Sequence, residues 1–233
     1  MPRRAEGGTP GPPRAAPSRL VVPAYFHPAA DPGGWEWLAE HAASVRLVIL
    51  NVASGPGAGP EPAFQAVTER LRGAGVRVVG YVDTDYGRRP VPYVTASFGR
   101  YQRWYGVHGV CLDRAAAGAP ELGYYAVLAA RVREMGARAV FFNHGVYPLE
   151  GYAEHADLLG TFEGPWHAYQ RATVPSWAAR WPPEKFYHVV YAVPPERFDD
   201  VARLASRRGA ASVYITDRDG ANPYDRLPAE AWD

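Results

Sequence analysis

The chain lacks several features that would assign it to a specialised class of protein. Among its 233 residues cysteine occurs once and methionine twice. A single cysteine, Cys111, excludes an intramolecular disulfide framework and a zinc site of several thiolates, so we interpret it as a buried strand thiol. No apolar run is long enough to cross a bilayer. An excess of one charge is also missing, with 25 basic and 24 acidic residues, which argues against nucleic acid or a polybasic membrane surface as a partner.

The first residues lack the apolar stretch of a secretory signal peptide. The opening MPRRAEGGTPGPPRAAPSRL carries positive charge and is rich in Pro, Gly and Arg, a composition that predicts a disordered tail over 1–18. The remainder, 19–233, is predicted to form one domain, because 47% hydrophobic and 13% aromatic residues suffice for one substantial core. By sequence we expect a cytoplasmic protein, while an export route that this start site does not reveal stays open.

Short apolar runs alternate with helical stretches from residue 20 onward, as expected of βα units around a parallel sheet. The predicted strands are 20–25, 46–52, 76–82, 109–113, 138–143, 157–163, 186–192 and 211–216, and the predicted helices are 35–43, 62–74, 93–105, 122–135 and 195–208. Eight strands exceed the usual five or six of a doubly wound sheet and predict a (β/α)8 barrel. The connection between the fifth and sixth strands is short, and no clear helix follows Asp217, so the last βα unit is expected to be irregular.

Candidate catalytic residues follow from the polar strand ends, because α/β barrels assemble their sites at the carboxyl ends of the strands. Asp113 ends the fourth strand and Glu163 the sixth. Alternation along a strand places Asp113 with Cys111, and Glu163 with Thr161 against Phe162, so both carboxylates are expected to face the axis. Strand spacing then predicts carboxyls about 5 to 8 Å apart, a range that includes both retaining and inverting glycosidase geometries.

A carboxylate pair suits glycoside cleavage, since one group must protonate the leaving oxygen while the other stays ionised to attack or to activate water. Each carboxylate also has a structural interpretation that stays open. Asp113 could cap a helix or pair with Arg114 or Arg131, and Glu163 could form a salt bridge across the mouth.

Other polar and aromatic side chains near the strand ends are predicted to bind substrate, with Trp166 as the sugar platform, although at least half of the aromatic rings are expected to pack as core. The predicted set comprises Tyr25, Asn51, Tyr81, Asp83, Tyr86, Arg88, Asn143, Trp166 and Tyr169.

Signals for a metal or a cofactor are weak. The segment SGPGAGP at 54–60 superficially suggests a phosphate loop, but Pro56 and Pro60 remove amide donors and no Lys-Ser/Thr follows. The histidines show no metal-ligand spacing, although Asp83 and Asp85 could touch a cation. We therefore expect neither a metal nor a cofactor. The sequence does not indicate an oligomeric state.

Five segments together resemble the spherulin-4 family, in the order in which they occur there. They are NVASGPGAGP (51–60), GYVDTDYGRRP (80–90), YQRWYGVHGVCLDR (101–114), VFFNHGVYP (140–148) and DLLGTFEGPWHAY (157–169). The resemblance covers most of the chain from about residue 20 to 216. It implies a (β/α)8 barrel related to cofactor-free hydrolases of α-1,4-linked galactosamine or N-acetylgalactosamine polymers in microbial exopolysaccharides and biofilm matrix, and thus extracellular or cell-surface action.

The resemblance also implies catalytic positions and one departure. The fourth strand of such relatives commonly ends in an Asp-Glu pair and the sixth carries a Glu. Asp113 and Glu163 match the first and last of these acids, whereas Arg114 stands where the second is expected. A cation beside Asp113 would lower its pKa and favour Glu163 as the acid/base, with the reverse roles left open. Arg114 could instead face away, because its parity differs.

Three hypotheses follow. The first is an endo-acting glycosidase on an amino-sugar polysaccharide. The second is a catalytically degenerate barrel that binds carbohydrate, with Arg114 as the mark of lost activity. The third is an enzyme of a phosphorylated metabolite, which would need an anion site after the last two strands, where TDRDG (216–220) is acidic.

Overall fold

A computed structural model describes residues 20–228, which form eight parallel strands in a nearly closed barrel with interleaved helices. The predicted tail and the last five residues lie outside the described part of the chain. The strands are β1 (Leu20–Ala24), β2 (Val45–Leu50), β3 (Val78–Asp83), β4 (Gly109–Asp113), β5 (Val140–Asn143), β6 (Leu158–Pro165), β7 (Phe186–Tyr191) and β8 (Ser212–Ile215). Each pairs in parallel with the next along the chain, and β8 lies beside β1. The predicted barrel is confirmed.

Six α-helices cover the barrel on the outside. They are α1 (Pro32–Glu40), α2 (Pro62–Gly73), α3 (Val91–Tyr105), α4 (Leu122–Glu134), α5 (Trp166–Tyr169) and α6 (Phe198–Arg207). Short 3-10 turns occupy Asp85–Gly87, Glu150–Glu154, Ser176–Arg180, Pro183–Lys185 and Pro195–Arg197. The apolar strand residues form the core with the inner faces of these helices. In the described chain no helix follows β8, so the prediction of an irregular last unit is confirmed.

Most boundary differences have a local cause. The third strand begins at Val78 and not at residue 76, because the amide of Val76 is used to bond the carbonyl of Leu71 at the end of α2. The first helix begins at Pro32, where the Asp31 side chain caps it through the amide of Gly34 at 2.9 Å. The predicted helix over 195–208 is a 3-10 turn that continues into α6.

Strand β6 contains a bulge that simple alternation does not predict. Gly160 pairs with Tyr187 and Phe162 pairs with His188, so Thr161 is an extra residue relative to β7. The Thr161 hydroxyl contacts Nε2 of His188 at 3.1 Å on the outer side of the sheet, where Phe162 also packs against the ring of His188. The expectation that Thr161 shares a face with Glu163 is therefore wrong. The bulge turns two successive side chains outward and returns Glu163 to the barrel mouth.

Candidate active site

Asp113 and Glu163 meet at the barrel mouth through one side-chain amide. Nδ2 of Asn143, at the end of β5, donates to Oδ1 of Asp113 at 2.8 Å and to Oε2 of Glu163 at 2.6 Å. The distance between Oδ1 of Asp113 and Oε2 of Glu163 is therefore at most the sum of these two hydrogen-bond lengths. That limit falls in the range of about 5 to 5.5 Å typical of retaining glycosidases, and below the roughly 6.5 Å at which inverting geometries begin.

A tyrosine also contacts each carboxylate. The hydroxyl of Tyr224 donates to Oε1 of Glu163 at 2.7 Å, and the hydroxyl of Tyr81 bonds Asp113. The ring of Tyr25 packs edge-on against both tyrosines, with centroids 5.3 Å from Tyr81 and 5.5 Å from Tyr224. This arrangement fixes the orientation of both acids before any ligand enters.

The electrostatic environment distinguishes Asp113 as the acid that retains its proton. Burial and the neighbouring charge of Glu163 raise the pKa of Asp113 to about 6, although hydrogen bonds from Asn143 and Tyr81 act in the opposite direction. Burial and the charge of Asp113 also raise the pKa of Tyr25 and of Tyr81, so both stay neutral donors. Asp113 can therefore hold a proton in mildly acidic solution.

Arg114 points away from Asp113, which confirms one of the two orientations considered for it. Its guanidinium bonds Oδ2 of Asp83 at 3.1 Å and Oδ1 of Asp85 at 2.8 Å, and it lies 5.0 Å from the centroid of the Tyr86 ring. The expectation that the cation of Arg114 would lower the pKa of Asp113 is wrong, because its charge is paired on the neighbouring loop and only its backbone amide acts to lower that pKa. With φ at 48°, Arg114 adopts the left-handed backbone conformation.

Left-handed backbone at residues other than glycine is concentrated at this end of the barrel. The five described cases all lie in loops that follow strands: Ser54, Asp85, Tyr86, Arg114 and Ala192. Such conformations persist only where the surrounding structure enforces them, and they are common near functional sites.

Three cavities surround the carboxylates. One of about 410 Å³ is lined by Asp113, Asn143 and Glu163 together with Tyr86, Arg114 and others. A second of about 420 Å³ lies on the other side of the tyrosines and is lined by Tyr25, Asn51, Val52, Ser54, Tyr81, Ala221, Asn222 and Tyr224. A third of about 870 Å³ shares Gly145, Val146, Glu163 and Tyr191 with the first and extends past β6 and β7. The carboxylate pair thus lies inside an extended cleft.

The remaining predicted binding residues divide between the cleft and the core. Tyr86 is exposed and lines the first cavity, and Asn51 lines the second while its Oδ1 accepts the amide of Gly55. Asp83 and Arg88 are held in ion pairs with Arg114, Arg89 and Asp85, a pairing that uses the charges on the loop after β3.

The two aromatic residues predicted after Glu163 differ in their surroundings. Tyr169 is fully buried, its hydroxyl lies 2.7 Å from Nδ1 of His188, and it contributes to the lining of the third cavity. Trp166 is partly buried against the core and is absent from the lining of the three cavities. The role of Trp166 as a sugar platform stays a prediction.

Sequence reasoning missed Tyr224 and left Tyr191, a polar strand end, out of the predicted binding set. Tyr191 ends β7 and lines both the first and third cavities. Tyr224 lies in the segment after β8, where no apolar run or helical pattern marks a regular element. The rule that every loop after a barrel strand lies at the mouth is the signal that would have included it.

Gly160 on β6 fits the site because it has no side chain. A Cβ there would lie 2.2 Å from Oδ1 of Asn143 and 2.7 Å from the hydroxyl of Tyr187. Oδ1 of Asn143 is buried without a hydrogen-bond partner, so the amide is held by its donor side alone. The close approach of Gly160 thus allows Asn143 to present Nδ2 to both carboxylates.

Within residues 20–228 no cluster of three or more His, Cys, Asp or Glu is arranged to hold a metal ion. Asp83 and Asp85, which could have touched a cation, are paired with arginines. No helix in the described part of the chain combines the length and apolar character needed to cross a membrane.

The family model described as spherulation-specific family 4 matches residues 19–233. The chain belongs to this family. Among curated relatives, Spherulin-4 of Physarum polycephalum is 35% identical over 152 residues, which cover 63% of this chain and 45% of that protein. The family member described here thus spans less than half of that relative's length.

Solved structures show the same fold. Sph3 of Aspergillus clavatus, determined in complex with GalNAc, superposes with a TM-score of 0.79 at 23% identity and covers 91% of this chain and 94% of its own. A fungal endo-β-N-acetylglucosaminidase of glycosyl hydrolase family 18 gives 0.55 at 15% identity, with 89% and 93% covered. A chitinase from Rhizomucor miehei gives 0.56 at 10% identity, with 89% and 96% covered. At these identities the similarity establishes the barrel fold.

Proposed function

We propose that this protein is a glycoside hydrolase that cuts within an α-1,4-linked galactosamine or N-acetylgalactosamine polysaccharide. The observation that carries the proposal is the pair of carboxylates bridged by Nδ2 of Asn143 in an extended cleft. The family membership and the likeness to a barrel determined with bound GalNAc support the choice of an amino sugar. The chemistry needs no cofactor.

The two acids take different roles in this proposal. Asp113, whose pKa is raised to about 6, is the general acid that protonates the leaving glycosidic oxygen. Glu163, held by the donors Asn143 and Tyr224, is the ionised group that attacks the anomeric carbon. The limit on the distance between Oδ1 of Asp113 and Oε2 of Glu163 is in the range of retaining geometries and favours retention of configuration. This assignment reverses the roles that a charge of Arg114 beside Asp113 would have favoured.

Binding without catalysis is the alternative, and Arg114 in place of a second acid is the observation that favours it. Its guanidinium lines the first cavity but bonds Asp83 and Asp85. A degenerate barrel would still hold an oligosaccharide in the cleft. The two functions differ in whether the bound oligosaccharide is hydrolysed.

The test is reducing-end release from partially deacetylated and fully acetylated α-1,4-galactosaminan. We expect turnover by the parent protein and a loss of at least about 1,000-fold in both Asp113→Asn and Glu163→Gln, because each removes a reacting group. Since Asp113 must be protonated, kcat/KM should fall as the pH rises through about 6.

Matched controls are Asp199→Asn and Glu134→Gln, which change exposed acids on α6 and α4 that line none of the three cavities and are paired only with arginines of their own helices. Both should keep parental activity. A folded parent that binds the oligosaccharide without cutting it would replace the proposal with the binding barrel.

A further inference from the structure

The segment after β8 supplies a side chain that reaches across the mouth to the carboxylate pair. We infer that Tyr224 is the positioning residue of Glu163. Residues 216–228, here called the closing strap, hold Tyr224 in the position that this role requires. The inference deepens the proposed function, since it concerns the same site.

The contacts of Glu163 carry the argument. Oε2 accepts Nδ2 of Asn143 at 2.6 Å, and Oε1 accepts the hydroxyl of Tyr224 at 2.7 Å. Each oxygen thus has its own donor, which removes the freedom of the carboxylate to rotate. A carboxylate with both oxygens bonded is held in one orientation, as an attacking group requires.

The strap is built to fix Tyr224. The amide of Tyr224 bonds Oδ1 of Asn222 at 3.1 Å, and Nδ2 of Asn222 donates to the carbonyl of Tyr25 at 3.2 Å. Further along, the amide of Leu227 donates to Oδ2 of Asp31 at 3.0 Å. These bonds tie an irregular segment to the end of β1 and to the start of α1, so the position of the tyrosine is determined by the barrel itself.

Packing restricts the ring as well as the backbone. Tyr224 is buried, and its ring packs edge-on against Tyr25 and lies 6.1 Å from the centroid of Tyr214 on β8. Tyr25 also contacts Tyr81, which bonds Asp113. One ring, Tyr25, therefore supports both tyrosines that hold the two acids.

The test compares Tyr224→Phe with Tyr214→Phe in the full chain. Both variants remove one buried hydroxyl and keep the ring, but the hydroxyl of Tyr214 has no partner in the described structure. For Tyr224→Phe we expect kcat to fall roughly 10- to 100-fold, as for a lost hydrogen bond to a charged group, with KM within about threefold. Tyr214→Phe should keep the parental values.

A second measurement does not depend on turnover. The side-chain amide protons of Asn143 each bond a carboxylate, and their NMR signals can be assigned by their loss in Asn143→Ala. In Tyr224→Phe we expect one of these signals to shift and to exchange faster with solvent, since Glu163 is no longer held at Oε1. Asn222→Ala, which loosens the strap without altering the ring, should produce a smaller change in the same direction.

The outcomes separate this inference from the proposed function. An inactive parent whose Asn143 amide still responds to Tyr224→Phe would overturn the hydrolase and support the positioning role. Unchanged amide signals in Tyr224→Phe, or equal changes in Tyr214→Phe, would overturn the positioning role. If Tyr224→Phe fails to fold by circular dichroism, the response in Asn222→Ala decides between these results.

Discussion

At the scale of single residues, the site depends on keeping two like charges close together. Asp113 and Glu163 share one donor, and their mutual repulsion is part of the reason why the pKa of Asp113 is raised to about 6. An acid whose pKa is raised by folding makes the native state less stable wherever it must ionise. The catalytic geometry should therefore reduce the stability of the protein at neutral pH.

We expect Asp113→Asn to be more stable than the parent above pH 6. Below the ordinary pKa of 3.8 the acid is protonated in both the folded and unfolded states, so the variant gains nothing there. Between about pH 3.8 and 6 the unfolded chain ionises this acid while the folded parent still holds its proton, so the parent loses stability over this window and the variant does not. We expect a gain on the order of 1 kcal/mol, since each pKa unit corresponds to about 1.4 kcal/mol and the amide gives up an acceptor.

Thermal unfolding from pH 3.5 to 8 measures the difference, which should correspond to roughly 2–4 °C in Tm at the upper end. Asp199→Asn on α6 serves as the control for replacing an acid by its amide, because its side chain is 90% exposed. A stability gain that is equal at all pH values would show that packing, and not ionisation, is responsible.

At the scale of secondary-structure elements, strand β6 directs Glu163 to the barrel mouth through a bulge and not through regular alternation. Gly160 approaches Asn143 and Tyr187, so it faces the barrel interior. Strict alternation from Gly160 would turn Glu163 toward the helices. The bulge turns both Thr161 and Phe162 outward, and this restores the inward direction of Glu163.

Deletion of Thr161 should therefore remove the bulge and leave Glu163 directed to the mouth. Without the extra residue, Gly160, Phe162 and Glu163 pair in regular alternation with Tyr187, His188 and Val189, so the carboxylate keeps its inward direction. Reducing-end release should show that the deletion variant retains most of the activity, with circular dichroism to confirm that the barrel still forms. Thr161→Ser keeps the bulge and the hydroxyl that contacts His188, and it serves as the control. A folded deletion variant that is as inactive as Glu163→Gln would contradict this account of the bulge.

The same strand marks the boundary of what the sequence could predict. Apolar runs and their polar ends were enough to identify all eight strands and to select Asp113 and Glu163, because hydrophobic periodicity and barrel geometry are local or general properties. A bulge depends on pairing between two strands, and no pattern in GTFEG specifies it. The partial burial of Trp166 against the core is likewise a tertiary contact, which its place three residues after Glu163 does not specify.

At the scale of the whole molecule, the closure of the barrel and the completion of the site depend on the same segment. Backbone pairing in the described chain runs continuously from β1 to β8, and the closing strap crosses the junction where β8 lies beside β1. The loop rule for barrels places Tyr224 at the mouth, but its contact with Glu163 could not be predicted, since it joins residues 61 positions apart across a closed sheet. The family resemblance predicted the fold but did not identify Tyr224.

Asp31 allows the closure to be tested, because its two oxygens have separate tasks. Oδ1 caps α1 through Gly34, and Oδ2 accepts the amide of Leu227 in the strap. Asp31→Asn should keep the cap, since Asn is an equally good N-cap residue, but lose the bond to the strap. Asp31→Ala should lose both.

We expect unfolding free energies lower than the parent's by about 1 kcal/mol for Asp31→Asn and about 2 kcal/mol for Asp31→Ala, as measured by urea denaturation. Because the strap also holds Tyr224, Asp31→Asn should lower kcat several-fold through a site that it does not touch. If Asp31→Asn loses stability with full activity, the strap closes the barrel without controlling Tyr224. If Asp31→Asn matches the parent in both properties, the bond to Leu227 contributes nothing to closure, and the position of Tyr224 must then be determined by Asn222 and the ring of Tyr25 alone.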